Sequence, residues 1–139
     1  MLPGTKSGFE LDARLESNSV SVLWLGLCEL RLIDDSRWLR LLLIPQRSGV
    51  EELHDLTPLD QAMLTFEISL VSKALKQVAQ CDTVNMSIAC NAVRQLHVEM
   101  VARSQGDAGW PDPVWDDGPR KPRDRKSLRP LLDKLRAAM

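Results

Sequence analysis

Apolar Cys28, Leu30 and Leu32 alternate with polar Glu29 and Arg31, the period-two pattern of a half-buried strand. An apolar, partly β-branched run at 20–25 precedes it. A second apolar run, from Trp38 to Ile44, follows it and ends at Pro45, which has no N–H for a ladder. Asp34-Asp35-Ser36 between them is a turn by composition, so the two runs predict an antiparallel hairpin. Thr57-Pro58-Leu59-Asp60 then announces a helix. Thr57 can accept a hydrogen bond from a first-turn amide, Pro58 suits the first helical position, and Asp60 favours the positive end of the dipole. Ala62, Met63, Phe66, Ile68, Leu70, Val71, Ala74, Leu75 and Val78 follow near helical spacing, with no Gly or Pro before about Gln80. That stripe must cover one face of a sheet. Strands at 84–89 and 93–103 come next, joined around Cys90-Asn91-Ala92. The stretch 104–126 is rich in Gly, Pro, Asp and Arg and lacks periodicity, and a short helix at 128–138 closes the chain. Strands before and after one long helix predict an α+β fold with an antiparallel sheet of about five strands.

The run with the most chemistry is Gln95-Leu96-His97-Val98-Glu99-Met100-Val101-Ala102-Arg103. As a strand it sets Gln95, His97 and Glu99 on one face and Leu96, Val98, Met100 and Ala102 on the other. One face then packs a core, while the other carries a polar row centred on an imidazole that is nucleophilic when neutral. A solvated face of an antiparallel sheet is the plain alternative.

This run resembles the signature of the histidine-triad (HIT) family of nucleotide hydrolases and transferases, in which three histidines alternate with apolar residues along one strand. His97 matches the central, nucleophilic position; Gln95 stands at the first and Glu99 at the third. Asp34-Asp35-Ser36-Arg37-Trp38 leading into Leu41-Leu42-Leu43-Ile44-Pro45-Gln46-Arg47 is similar to the family's ribose-contacting acidic turn and its apolar strand ending in Pro and a basic residue. Asn85 and Asn91, twelve and six residues before His97, are similar to its phosphate-side polar residues. Trp110-Pro111-Asp112-Pro113-Val114-Trp115 is similar to a segment of a short bacterial branch in which Gln at the first triad position also looks usual. The likeness runs from about Phe9 to Trp115.

The resemblance implies a HIT-like domain at 1–117 and a homodimer sharing one continuous sheet. It implies attack by His97 on the α-phosphorus of a nucleoside phosphate ester, phosphoramidate or dinucleoside polyphosphate, through a covalent nucleotidyl-imidazole. For this, one ring nitrogen must be free and the other held by a fixed acceptor, a backbone carbonyl or the Gln95 amide. Asn85 and Asn91 would hold phosphate oxygens, and Asp34, or failing that Asp35, the ribose hydroxyls; turn and capping chemistry is the alternative for all four. Glu99 is the departure, because an ionised carboxylate only accepts hydrogen bonds. Two negative charges about 4 Å apart repel by roughly 1 kcal/mol in water and about 4 at intermediate dielectric. Glu99 would have to be protonated in an apolar shell and act as an acid, or bind a divalent cation together with the phosphate. Otherwise the chain is a degenerate, dimeric nucleotide-binding protein without turnover. No other cofactor is implied.

Composition bounds the rest. The 139 residues are 44% hydrophobic and 27% charged, one domain of ordinary globular make-up. No apolar run reaches membrane-spanning length, and the N-terminus shows no signal-peptide core. Three cysteines (Cys28, Cys81, Cys90) cannot all pair and lack metal-type spacing, so a reducing cytoplasm is expected. Residues 118–139 hold eight Lys/Arg and two Asp, a net +6 against −7 for the remainder. They read as a basic linker and a helix packing on the same domain. Nucleic acid is not expected as a partner, because no aromatic residues interleave with these charges. With only His54 and His97, a zinc site is not expected either. His54 reads as a surface residue, and a Cys90–His97 nucleophile pair lacks a third orienting group. Trp110 and Trp115 read as braces for a loop or a dimer contact.

Overall fold

Alternation along the strands decides which residues meet the core and which meet the site. The structure, a computed structural model, describes residues 8–114 and 118–139. Its elements are α1 (Ala13–Ser17), β1 (Ser19–Trp24), β2 (Cys28–Ile33), β3 (Leu39–Pro45), a 3-10 turn (Leu53–Asp55), α2 (Pro58–Ala79), β4 (Thr83–Ser87), β5 (Val98–Arg103) and α3 (Arg125–Ala137). The five strands form one sheet in the order β1-β2-β3-β5-β4, every pair antiparallel. The predicted fold class, hairpin and long helix are all present. Thr57 caps α2, its hydroxyl accepting the Asp60 amide at 3.1 Å, and Gln80 ends the helix in a left-handed turn.

One sheet face, carrying Cys28, Leu30, Leu32, Leu41, Leu43, Val98 and Met100, packs under Leu64, Val71 and Leu75 of α2 in the main core. Leu135 of α3 closes the same cluster, and Arg136 of that helix donates to the Val22 carbonyl at 2.7 Å. Glu67, 2% exposed, points from α2 at the turn between β1 and β2. Its two carboxylate oxygens accept the Leu27 and Cys28 amides at 2.8 and 2.9 Å. Burial, and the Glu67 carboxylate beside it, push the Cys28 thiol well above its ordinary range, so this cysteine is inert packing.

The opposite face carries Arg31 and Ile33 of β2, Arg40 and Leu42 of β3, and Glu99 and Val101 of β5, aligned across the strands. Two smaller clusters flank it. Phe9 and Leu15 cover Ile33, Leu42 and Ile44 on one side, and Trp38 and Val114 cover Val101 on the other. Between them, Asp35 lies fully buried and ties the turn together. Its carboxylate accepts Arg37 Nε and Nη2 at 3.0 and 2.9 Å, and Arg40 Nη1 at 3.2 Å. Arg37 also lies over the Trp38 ring, 4.4 Å from its centre. Residues 118–124 fold back on this turn. Arg123 N donates to Asp34 Oδ1 at 2.8 Å, Ser36 N to the Lys121 carbonyl at 2.6 Å, and Arg123 Nη2 to the Trp38 carbonyl at 2.8 Å.

Several boundaries differ from expectation, and one short helix is added. β5 begins at Val98, not 93, because the ladder register carried further would set His97 and Leu96 against Ile44 and Pro45, and Pro45 has no N–H. Leu96 N instead donates to the Val50 carbonyl at 3.0 Å. β4 ends at Ser87, opposite Glu99, where its partner strand is close to its own end. α3 begins at Arg125, three residues early, because Asp124 caps it, accepting the Lys126 amide at 3.3 Å. α1, too short for a periodicity signal, is capped by Asp12.

Two measurements test these ties. Glu67→Ala leaves two buried amides unpaired and is expected to cost about 2–4 kcal/mol in urea unfolding. For Asp35, burial raises its pKa, but hydrogen bonds from the Arg37 side chain, the Arg37 amide and the Lys121 amide outweigh it and hold the carboxyl at about 2, below its ordinary 3.8. A carboxyl lowered by folding contributes its stability above the unfolded value and loses it as pH falls through the folded one. Melting temperature should therefore fall from about pH 4 down to pH 2. Asp35→Asn should flatten that limb and cost about 3 kcal/mol at pH 7, by leaving two arginines short of their partner.

Candidate active site

His97 sits just before β5, half-buried, where the chain leaves the ladder. Its Nδ1 lies 2.7 Å from the Gln95 carbonyl oxygen. A carbonyl only accepts, so in the neutral ring Nδ1 carries the proton and Nε2 the lone pair. Of the two acceptors the sequence offered, it is the backbone that serves. The Gln95 side chain turns the other way: its oxygen accepts the Asp12 amide at 2.9 Å and its nitrogen donates to the Glu10 carbonyl at 2.8 Å. Gln95 thus fastens the N-terminal segment beside the site while its main chain orients the ring.

The His97 ring lines two adjoining cavities. The larger, about 420 Å³, is floored by Ile33, Leu42 and Val93 and walled by Arg14, Arg37, Arg40 and Arg120, with Glu99 as the acidic residue among the described ones. The smaller, about 230 Å³, lies toward β4 and adds Ser87 to Arg40, His97 and Glu99. Glu99 is paired with a cation supplied by the chain itself. Its Oε1 accepts Arg40 Nη2 at 2.5 Å, so the like-charge problem is met by a guanidinium that also reaches Asp35. Among the described residues no group of three or more His, Cys, Asp or Glu could hold a metal ion.

The acidic turn does not face this space. Asp35 is fully buried and spent on Arg37, Arg40 and the Lys121 amide. Asp34 accepts the Arg123 amide with its carboxylate and Arg120 Nη1 with its carbonyl, at 2.8 and 3.0 Å. Asp34 and Asp35, expected at the ribose, line neither cavity; what the turn contributes to the wall is arginines. Asn85 lies opposite Val101 on the site face of β4 but is not among the cavity-lining residues; Ser87, two positions on, is. Asn91 is exposed in the loop before Gln95 and lines neither cavity.

Sequence reasoning missed Arg14, Asn18, Arg37, Arg40, Ser87 and Arg120, all at the cavities. Arg40 had left a signal, as the one charge inside the apolar run 39–45. Arg14 and Arg120 come from opposite ends of the chain and had none. The remaining candidates fall outside the chemistry. Cys90 Sγ lies 3.6 Å from the Gln95 carbonyl and 3.7 Å from His97 Nδ1, on the protonated side of the ring. His54 is exposed, 3.8 Å from Asp55. Trp110 lies 5.6 Å from the guanidinium of Arg103, which anchors the following loop through Asp107 and the Asp112 carbonyl. Trp115 lies outside the described residues.

Comparison with curated proteins returns no match. A family model described as "HIT domain" matches residues 14–106. Among solved structures, a histidine triad protein from Sinorhizobium meliloti 1021 is 43% identical with a TM-score of 0.93, over 96% of this chain and 98% of that one. A histidine triad protein from Bradyrhizobium japonicum is 37% identical with a TM-score of 0.91, over 94% and 97%. One from Marinobacter aquaeolei VT8 is 32% identical with a TM-score of 0.91, over 94% and 95%. No helix among the described residues is long and apolar enough to cross a membrane. With the family model spanning the strands and helix that build the cavity, and whole-length likeness to three such structures, the chain belongs to the histidine triad (HIT) family.

Proposed function

We propose that this protein is a nucleoside-phosphate hydrolase or nucleotidyl transferase that works through a covalent intermediate on His97. The observation that carries the reading is the imidazole itself: Nδ1 is fixed on the Gln95 carbonyl at 2.7 Å, and the ring opens on a 420 Å³ cavity walled by four arginines. A neutral imidazole with one bound and one free nitrogen is a competent nucleophile. A cavity bearing guanidiniums above an apolar floor suits a ligand with phosphate at one end and an apolar ring at the other. Substrates of this shape are nucleoside phosphate esters, phosphoramidates and dinucleoside polyphosphates. Hydrogen-bond donors for the phosphate come from Arg37, Arg40 and Ser87 rather than from Asn85 and Asn91.

Glu99 favours one second reading, a nucleotide-binding protein without turnover, because its carboxylate borders both cavities. Its pairing with Arg40 weakens that reading by removing the bare negative charge on which it rests. The same family reading carries a homodimer with one continuous sheet. β4 is an unpaired sheet edge among the described residues, and Met86 and Ile88, on and just beyond it, are 48% and 42% exposed.

Incubation with diadenosine triphosphate, quenched and digested for mass spectrometry, should show an adenylyl group on His97. His97→Asn should abolish the adduct and lower turnover on the order of 10⁴-fold. Measurable nucleotide binding with neither adduct nor product between pH 5 and 8 would establish the second reading instead. Light scattering in solution should give twice the chain mass of 15.6 kDa, and Met86→Glu should shift it toward the single chain.

A further inference from the structure

Proton donors around His97 are conspicuously poor. Among the described residues, the cations that line its cavities are all guanidiniums, which hydrogen-bond strongly but do not give up a proton. Among the described lining residues the carboxylate is Glu99, which accepts from Arg40. The His97 Nδ1 proton is spent on the Gln95 carbonyl, while Nε2 is the attacking atom. Asn18 and Ser87, an amide and a hydroxyl, are very weak acids. Among the described lining residues, then, none is placed to protonate a departing group.

Arg40 is the residue that borders both cavities with its guanidinium held at two points, Nη1 on Asp35 at 3.2 Å and Nη2 on Glu99 at 2.5 Å. Its Nε is buried without a hydrogen-bond partner among the described residues. A cation fixed in this way loses little further freedom when negative charge develops beside it, and such preorganised charge stabilises transition states most. We propose that Arg40, clamped between Asp35 and Glu99, is the specificity-determining cation of this site. It receives a leaving group that departs as an anion, so the site cleaves nucleoside phosphoanhydrides in preference to phosphoramidates of alkyl amines. This rests on His97 being the nucleophile.

The step balances without an added acid. The Nε2 lone pair forms a bond to the α-phosphorus, and the bond from that phosphorus to the bridging oxygen breaks. The electron pair leaves with the oxygen as a phosphate anion beside Arg40, and the imidazolium keeps its Nδ1 proton on the Gln95 carbonyl. Water then attacks phosphorus, the P–N bond breaks, and one proton passes to solvent. An amine leaving group would depart as an amide anion unless protonated, and the described residues offer no donor for that.

The test uses the full chain with two probes sharing one adenylyl group, diadenosine triphosphate and an adenosine phosphoramidate of propylamine. Single-turnover rates are read together with the His97 adduct. The intact protein should form adduct from the anhydride at least about 100-fold faster than from the amidate. Arg40→Gln should lower both rates, because both probes share the adenylyl phosphate, but should lower the anhydride rate at least about tenfold more than the amidate rate, whereas a purely structural role would lower both alike. Glu99→His, which supplies a titratable donor, should raise the amidate rate about tenfold or more without raising the anhydride rate. If Arg40→Gln melts below assay temperature, the rate ratio in Glu99→His decides. Equal rates for the two probes in the intact protein, or a ratio unmoved by the folded variants, would overturn the proposal while leaving His97 as nucleophile. Absence of adduct and product from both probes would remove the His97 reading and this one with it.

Discussion

A carboxylate sealed beneath a turn sets the geometry on which the rest of this site depends. Asp35 is fully buried, yet its oxygens are occupied by two guanidiniums and backbone amides. An ionised group so placed is tolerable only while those partners stay. Arg37 and Arg40 are therefore committed to one arrangement, and Arg40 in turn reaches Glu99 on the neighbouring strand. From this single buried charge follow the wall of the cavity, the pairing of Glu99 and the fold-back of residues 118–124 onto the turn.

The sheet separates two kinds of physics. On the α2 side, burial of Leu, Val and Met side chains stabilises the fold at about 25 cal/mol per Å² of apolar surface removed from water. On the other side, Arg31, Arg40, Glu99 and Arg103 lie partly or wholly buried, and their stability rests on pairing. Arg31 is satisfied by Glu29 and Ser19, and Arg103 by Asp107 and a loop carbonyl. A sheet face that carries charge in matched pairs leaves room between its two apolar flanks, and that room is the cavity beside His97. The positive charge along the cavity wall is thus a by-product of how the face is held together, since arginines that line it are also its struts.

Glu99 shows how a sequence argument can be sound in its premise and incomplete in its outcome. A bare carboxylate beside a phosphate would be repelled, and the two remedies considered from sequence were protonation and a cation. The structure adds a pairing that neither of them includes, with a guanidinium from a strand 59 positions away. Nothing near Glu99 in sequence announces Arg40. The cross-strand register does, since Arg40 stands opposite Val101, two positions from Glu99 on the same face.

By itself the sequence determined whatever depends on local spacing. Period-two and helical periodicity, the Thr57 cap, the Asp34–Ser36 turn and Pro45 were enough for the hairpin, the long helix and the α+β class, because propensity and patterning act within a few residues. It also placed His97 and Glu99 on one face. Tertiary structure alone decided which polar residues share that face's cavity. Asp34 and Asp35 have the right chemistry for a ligand but are spent on other neighbours, while Asn85 and Asn91 line neither cavity. Arg14 and Arg120 enter only because the N-terminal segment hooks onto Gln95 and the C-terminal segment onto Asp34. The physical reason is that hydrogen bonds between residues more than 80 positions apart follow from how the chain closes on itself, and no local pattern records them.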